Sequence, residues 1–236
     1  TPTSASTTVS NLIVGTYQFS LTVTDNAGVK ASDTLNVLVK AAAPAGNCGC
    51  DITLTPTNPT DDYLYVDGSK LGVQPGNKIC IKAGNYNHIT LFNFQGTASQ
   101  PLTFINCGGR VICGGPGSYG GIVMKNCRYF RLTGTGDPAF TYGFNIGEGS
   151  PVLSTGVSLS QWTSDFEADH IEVTNVQAGF FLTYVPDCDP ASWSTYFTIQ
   201  NVSFHDNYIH DTDSEGMYLG NSPVTYDITC NGVTQT

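Results

Sequence analysis

The segment Phe166-Glu-Ala-Asp-His-Ile171 recurs 38 residues later as Phe204-His-Asp-Asn-Tyr-Ile209. Three glycines that each precede apolar residues, Gly143, Gly179 and Gly216, lie at similar spacings of 36 and 37 residues. Recurrence at a nearly fixed spacing is typical of stacked repeats, in which each repeat supplies short strands that cannot bury their inward face alone. We therefore expect coils of the chain to stack about 4.8 Å apart.

The chain after Gly76 breaks into short strand segments that end in Gly or Asn, for example at 79–82, 102–105 and 122–124. Its 26 Gly and 12 Pro residues, without a long stretch of 3.6-residue periodicity, favour many short strands joined by tight turns. A β-sandwich would need longer strands and hairpin turns. The sequence therefore predicts an all-β protein in which residues 48–236 form a right-handed parallel β-helix that continues beyond the C-terminus.

Aromatic residues recur in these segments, and we expect them to stack inside the coils. They are Phe104, Phe130, Phe166, Phe181 and Phe204.

Eight cysteines, an even number without a Cys-x-x-Cys pair, favour disulfides over a zinc site. Cys107 and Cys127 each follow an asparagine at a spacing of 20 residues, which suggests a disulfide between stacked coils. The alternative is two stacked, reduced thiols. Cys48, Cys50 and Cys80 are expected to staple the end of the coil, in pairings that the sequence leaves open.

Three motifs carry a family resemblance for residues 48–222. They are Gly72-Val-Gln-Pro-Gly-Asn-Lys-Ile-Cys-Ile-Lys-Ala-Gly-Asn-Tyr86, Phe104-Ile-Asn-Cys-Gly-Gly-Arg-Val-Ile112, and Phe204-His-Asp-Asn-Tyr-Ile-His-Asp-Thr212 with Glu215-Gly-Met-Tyr. This part of the chain resembles the β-helix repeat proteins that Bacteroidetes-type bacteria secrete. The resemblance implies a fold and not a catalytic activity.

The N-terminal segment has a different pattern. Residues 15–28 read Gly-Thr-Tyr-Gln-Phe-Ser-Leu-Thr-Val-Thr-Asp-Asn-Ala-Gly, and their alternation before a turn predicts a hairpin. The segment resembles the last strands of polycystic-kidney-disease-type (PKD-type), immunoglobulin-like domains of bacterial surface proteins. The earlier strands of that family are missing, so residues 1–40 form a partial sandwich module that neighbouring modules or chains would complete. The small residues at 41–47 are predicted to be a linker.

Charge and cysteine usage indicate the compartment and exclude some partners. The formal charge is −10, with 19 acidic and 9 basic residues, so nucleic acid is excluded as a partner because it is bound by clustered Lys and Arg. No window of 18 uninterrupted apolar residues occurs, so no membrane span is expected. Paired cysteines persist in oxidising compartments, which predicts an extracellular or cell-surface location.

A catalytic site is one hypothesis for the outer face of the coils. Arg131, Glu172 and His210 each follow a residue that we expect to face inward. Because side chains alternate along a strand, these three should face outward in one column, with neighbours about 5 Å apart. In a polysaccharide lyase, Arg131 would neutralise a uronate carboxylate, His210 would be the base and Glu172 would orient it. The alternative is a solvated ladder of ion pairs, which contributes little to stability.

Two further sets of residues are candidates for binding. The first is a cluster of carboxylates, Asp206, Asp211, Asp213 and Glu215, which could bind calcium. The alternative is that these residues form a solvated acidic face. The second is a set of aromatic residues in two irregular stretches: Trp162, Tyr184, Trp193 and Tyr196. Their side chains would stack on sugar rings, or would instead fold back over their own loops.

These patterns favour an extracellular protein that binds glycans and acts in adhesion, because no outward set of residues has the specificity of a catalytic motif. One alternative is a polysaccharide lyase or hydrolase that acts on acidic glycans. The other is a structural component of an extracellular fibre or matrix. The identity of the glycan is not determined by the sequence.

Overall fold

The structure is a computed structural model that describes residues 9–10, 12–39, 48–56, 62–115, 118, 120–149, 152–221 and 227–235. The predicted linker at 41–47 lies outside these residues. The chain divides into two compact units, Thr1–Ala43 and Pro44–Thr236. The described residues form an all-β protein without an α-helix, and only two short 3-10 helices occur in them, at Gly68–Lys70 and Pro190–Ser192. Among them, no helix has the length and apolar character needed to cross a membrane.

The first unit contains an antiparallel hairpin, as the alternation predicts. Strands β1 (Gly15–Thr24) and β2 (Lys30–Val39) pair along their whole length, with Tyr17 opposite Val37 and Phe19 opposite Leu35. The turn is held by the carboxylate of Asp25, which accepts hydrogen bonds from the amides of Ala27 and Val29 at 2.9 and 2.8 Å. Polar turn residues of this kind satisfy backbone donors that have no partner in the strand ladder.

The second unit consists mainly of two parallel sheets. The first sheet has nine strands: β3 (Ile52–Leu54), β5 (Lys78–Tyr86), β7 (Leu102–Cys113), β9 (Arg128–Thr133), β10 (Phe144–Ile146), β12 (Ser164–Asp169), β13 (Ile171–Val173), β15 (Val202–His205) and β16 (Tyr208–Ile209). The second has six: β4 (Tyr63–Asp67), β6 (His88–Phe92), β8 (Gly120–Lys125), β11 (Leu153–Ser160), β14 (Val176–Leu182) and β17 (Thr212–Leu219). A separate antiparallel pair is formed by β18 (Ile228–Cys230) and β19 (Val233–Gln235).

Aromatic rings stack along the core between these strands. Phe104, Phe130, Phe166 and Phe204 form a continuous series, with ring centroids 5.9, 5.2 and 5.5 Å apart. The sequence-based choice of Phe181 for this core is wrong. Phe180 is the fully buried residue, whereas the ring of Phe181 stacks on Tyr218 outside the core. Two consecutive phenylalanines in a strand point to opposite faces, and the sequence does not say which one is inside.

The register between β12 and β15 is 36 residues, and not the 38 that the recurrence of Phe166 as Phe204 suggests. Phe166 pairs with Val202, and Ala168 pairs with Phe204. Val173 pairs with Ile209 at the same shift. Because side chains alternate with a period of two, a shift of 38 keeps the same residues on the inner face, so the apolar pattern cannot distinguish the two registers.

The predicted disulfide between Cys107 and Cys127 is also wrong. Disulfides join Cys48 to Cys107, Cys50 to Cys80 and Cys188 to Cys230. Cys107 packs with Cys80 in a small cluster separate from the main core, whereas Cys127 is buried in the main core as a free thiol. The two side chains therefore lie in different apolar clusters, and equal spacing from an asparagine does not place them together. The expectation that Cys48, Cys50 and Cys80 form disulfides at the start of the second unit is consistent with the bonds Cys48–Cys107 and Cys50–Cys80.

Candidate functional site

The first sheet carries Arg131 and Glu172, two of the charged residues that the sequence singled out. Parallel pairing aligns Thr103, Arg131, Glu167 and Ser203 in one row across strands β7, β9, β12 and β15. Aligned residues on neighbouring parallel strands are about 4.8 Å apart, which brings their side chains into contact. The sequence expected Glu172 to follow Arg131 in this row, but the residue in register with Arg131 is Glu167.

A turn separates Glu172 from that row. His170 has a left-handed backbone conformation, with a φ of 55°, between the end of β12 at Asp169 and the start of β13 at Ile171. Glu172 therefore lies on a different strand, where it aligns with Asn145 and Tyr208. The prediction of a single column of Arg131, Glu172 and His210 is wrong for this reason.

Arg131 is the centre of a compact group of ion pairs. Its guanidinium donates two hydrogen bonds to Asp169, at 2.7 Å from Nε to Oδ2 and 3.1 Å from Nη2 to Oδ1, and its Nε lies 2.9 Å from Oε1 of Glu167. The Asp169 side chain is fully buried and also accepts hydrogen bonds from Thr133 and from Nδ1 of His170, both at 2.6 Å. The charge of Arg131 is thus already balanced within the protein.

These contacts change the titration of both partners. Burial alone would raise the pKa of the Asp169 carboxyl, but the hydrogen bonds from Arg131, Thr133 and His170 outweigh burial, and the pKa is lowered. The hydrogen bond to Asp169 in turn raises the pKa of the Arg131 guanidinium. The pair therefore remains ionised at neutral pH.

His205 lies at the end of the same group. Its Nδ1 is 2.8 Å from Oδ2 of Asp206, and its Nε2 is 2.9 Å from Oε1 of Glu167. These two hydrogen bonds raise the pKa of the imidazole, because the protonated ring can donate from both nitrogens. The residue is exposed, so solvent screens much of this interaction.

Metal binding was expected at a different set of carboxylates. Asp206 and Asp211 hydrogen-bond to His205 and His210, respectively, while Asp213 and Glu215 lie on β17 in the second sheet. Within the described residues, the group that brings two carboxylates and an imidazole close enough together for a shared ion is Glu167, Asp169 and His205. The guanidinium of Arg131 already contacts both carboxylates, so a positively charged side chain of the protein occupies the place next to them.

Glu172 has a different arginine as its partner. Oε2 of Glu172 accepts hydrogen bonds from Nη2 of Arg110 at 2.6 Å and from Nδ2 of the buried Asn145 at 2.8 Å. His210 lies on the other side, with its Nε2 3.6 Å from Oε1 of Glu172 and its Nδ1 2.8 Å from Asp211. No sequence pattern indicated Arg110, because its approach to Glu172 depends on the register that aligns Val111 with Phe144 and Phe144 with Ile171.

Aromatic rings lie beside this second group. The ring of Tyr208 stacks on Tyr142 at 5.9 Å and on the imidazole of His210 at 4.3 Å, with interplanar angles of 25° and 22°. Tyr208 is 47% exposed. We call these three stacked rings the aromatic platform. Nearby, the guanidinium of Arg110 lies 6.0 Å from the ring centroid of the exposed Phe140 and 3.7 Å from the carboxylate of Glu148.

The four predicted sugar-binding aromatics are arranged differently. Trp162 and Tyr184 both pack against the buried ring of Phe197, at 6.5 and 4.5 Å, so only Tyr184 packs within its own irregular stretch. The indole nitrogen of Trp193 donates to the carbonyl of Asp187 at 3.0 Å. Tyr196 is the most open of the four, with 72% of its surface exposed.

A shallow groove of about 560 Å³ runs beside the Arg131 row. Its walls include Pro101, Tyr129, Glu167 and Ser203. Tyr129 adopts a left-handed backbone conformation with a φ of 52°, which is unusual for an aromatic residue and holds the ring at the groove.

Comparison with known proteins supports the N-terminal part of the sequence analysis. A family model described as "K319L-like, PKD domain" matches residues 1–39, which confirms the PKD-type character of this segment. Nothing among the curated proteins or the solved structures matches the chain. The comparisons therefore bear on the hairpin unit and not on the two parallel sheets.

Proposed function

We propose that the chain is an extracellular, right-handed parallel β-helix protein that binds glycans through the aromatic platform of Tyr142, Tyr208 and His210. The β-helix is supported by the parallel pairing of successive strands in two sheets and by the stacked phenylalanine core. The extracellular location is supported by three disulfides and by the match to a PKD domain.

The observation that carries the proposal is the stack of partly exposed rings next to charged hydrogen-bonding groups. Tyr142 precedes β10 and Tyr208 lies on β16, two strands away in the first sheet, yet their rings stack. The apolar face of a sugar ring packs well on such a surface. Arg110, Glu148 and Glu172 lie close to one another and offer donors and acceptors for sugar hydroxyls. Apolar stacking with flanking polar groups is the usual composition of a small-molecule site.

The charges favour a neutral glycan over an acidic one. Arg131 and Arg110 are each already paired with a carboxylate, Arg131 with Asp169 and Arg110 with Glu172. The chain also carries a formal charge of −10, which repels polyanions in solution. A uronate-containing polymer would have to displace one of these internal ion pairs to use the charge of either arginine.

A glycan array followed by calorimetry with the full chain tests the proposal. We expect binding to a neutral polysaccharide or oligosaccharide, and we expect Tyr208→Ala to weaken it at least tenfold because the stacking surface is lost. The matched control is Tyr196→Ala, which removes a tyrosine that is more exposed than Tyr208 and lies outside the aromatic platform. Equal binding by both variants, or loss only in Tyr196→Ala, contradicts the platform as the site.

The lyase or hydrolase alternative rests on His210, whose ring lies between Glu172 and Asp211. Incubation with uronic-acid polymers tests it, because a lyase releases unsaturated products. Activity that disappears in His210→Ala would favour this alternative. Formation of ordered polymers by a protein that binds no glycan would favour the structural alternative.

A further inference from the structure

The connection between β9 and β10 differs from the equivalent connections in the next two coils. Strands β9, β12 and β15 align with one another, as do β10, β13 and β16. His170 alone joins β12 to β13, and Asp206 with Asn207 joins β15 to β16. The connection from β9 to β10 is instead residues 134–143, which we call the platform loop. Because one or two residues close this corner in the other two coils, the coil does not need the longer loop.

The platform loop brings two aromatic rings to the proposed glycan site. Tyr142 lies at the end of the loop and stacks on Tyr208, and Phe140 lies 6.0 Å from the guanidinium of Arg110. A loop of this kind serves binding only when a rigid scaffold holds it in place. The position of the platform loop therefore decides whether the ring of Tyr142 meets the ring of Tyr208.

Asn106 on β7 contacts the platform loop from below. Its side chain has no exposed surface. Its Oδ1 accepts a hydrogen bond from the amide of Gly136 at 2.9 Å, and its Nδ2 donates to the carbonyl of Gly109 at 2.7 Å. Gly109 directly precedes Arg110 in the chain. One buried amide thus joins the loop that carries Tyr142 to the backbone beside Arg110.

Glycines allow the platform loop to lie directly against β7. A Cβ atom on Gly136 would lie 1.8 Å from the carbonyl oxygen of Asn106, and a Cβ atom on Gly143 would lie 2.2 Å from Oδ1 of Asn106. The carbonyl of Gly143 also accepts a hydrogen bond from the amide of Val111 at 2.8 Å. A side chain at either glycine would push the loop away from the strand, so the loop and Asn106 fit each other closely.

We propose that Asn106 is a positioning residue of the glycan site, which holds the platform loop where Tyr142 stacks on Tyr208. A buried amide whose oxygen and nitrogen are both bonded favours one loop position, because any other position leaves a buried polar group without a partner. Asn106 has no exposed surface and does not touch the glycan. The role in binding rests on the proposed function, whereas the position of the ring can be measured in the protein alone.

NMR of the Tyr208 ring protons tests the positioning without a glycan. The stacked ring of Tyr142 shifts these resonances, so Tyr142→Ala supplies the reference change. We expect Asn106→Ala to reproduce most of that change. The matched control is Asn77→Ala, because Oδ1 of Asn77 also accepts a loop amide, at 2.8 Å, in the turn before β5. Tyr208 resonances that keep their parent positions in Asn106→Ala overturn the proposal.

Gly136→Ala tests the same contact from the loop and leaves the buried residue unchanged. Its methyl group would meet the carbonyl oxygen of Asn106, so the loop must move away. We expect the same change at Tyr208, with roughly tenfold faster amide exchange in 134–143 and unchanged protection in 164–169. If circular dichroism shows that Asn106→Ala is unfolded, this variant decides, and parent-like Tyr208 resonances in it overturn the proposal.

Calorimetry with a neutral glycan selected on the array separates this inference from the proposed function. Asn106→Ala should weaken binding about as much as Tyr142→Ala, by roughly tenfold, and Asn77→Ala should leave the affinity unchanged. Full affinity in Asn106→Ala overturns its role in binding. A parent chain that binds no glycan overturns the proposed function, and the Tyr208 resonances then still decide whether Asn106 positions the ring of Tyr142.

Discussion

The carboxylate of Asp169, which has no exposed surface, accepts two hydrogen bonds from the guanidinium of Arg131 on the neighbouring strand. A buried charge is tolerated only when it is paired and hydrogen-bonded, and Thr133 and His170 supply the remaining bonds. This pair fixes the register between β9 and β12 at the outer face, because a slip of the strands would leave a buried carboxylate without its partner.

We expect Asp169→Asn to lower the free energy of unfolding by about 3 kcal/mol, since it leaves the guanidinium without its buried counter-charge. Urea denaturation followed by tryptophan fluorescence measures the change. The control is Glu167→Gln, which removes a partly exposed carboxylate from the same guanidinium and should cost less than about 1 kcal/mol. Equal losses in the two variants would contradict the distinct role of the buried carboxylate.

Acid should destabilise the protein through the same residue. The folded-state pKa of Asp169 is lowered from its ordinary value of 3.8, so its contribution is complete above that value and is lost as the pH falls through the folded pKa. Asp165, paired with Arg128, behaves in the same direction. The free energy of unfolding should therefore fall below about pH 4, and the fall should be smaller in Asp169→Asn. If the free energy of unfolding fell equally in the variant and in the parent chain below about pH 4, the role of Asp169 in acid destabilisation would be contradicted.

His205 contributes to the pH dependence of stability with the opposite sign. Its folded pKa is raised, so the stability that it adds is complete below its ordinary pKa of 6.5 and is lost as the pH rises through the folded value. In His205→Gln, the stability should change less between pH 6 and 8 than in the parent chain. Titration of the imidazole by NMR measures the raised pKa directly, and an ordinary value would refute the paired geometry.

Phe180 and Phe181 on β14 offer a test of which face of this strand packs in the core. Phe180→Ala should cost about 3 to 5 kcal/mol, because it opens a cavity beside Phe204 in the core. Phe181→Ala should cost far less, because its ring stacks on Tyr218 at the outer face. Thermal or urea unfolding of the two variants gives the comparison, and a reversed order would mean that the strand faces the other way.

Thiol labelling should distinguish the two free cysteines from the six in disulfides. Burial raises the pKa of both Cys113 and Cys127 to about 12, so neither thiol should react with a maleimide in the folded protein. After unfolding without a reductant, mass spectrometry should detect two labels, one on each of these residues. Labels on Cys48 or Cys107 would contradict the disulfide pairing.

Removal of the bond between Cys50 and Cys80 should also be measurable. The double variant Cys50→Ser, Cys80→Ser opens a loop with a sequence separation of 30, which corresponds to about 3.5 kcal/mol of lost stability by loop entropy. Urea denaturation checks this value. A loss below about 1 kcal/mol would indicate that the neighbouring bond between Cys48 and Cys107 already confines this region.

The sequence by itself determined the all-β character, the N-terminal hairpin and the inward alternation of Phe104, Phe130, Phe166 and Phe204, because these depend on local periodicity and turn residues. Only the tertiary structure decided the 36-residue register between β12 and β15, the pairing of Arg131 with Glu167 and Asp169, and the approach of Arg110 to Glu172. The reason is physical. Alternation fixes the face on which a side chain lies, whereas the neighbour that it meets depends on how far one strand is shifted along the next, and shifts that differ by two residues leave the same apolar pattern.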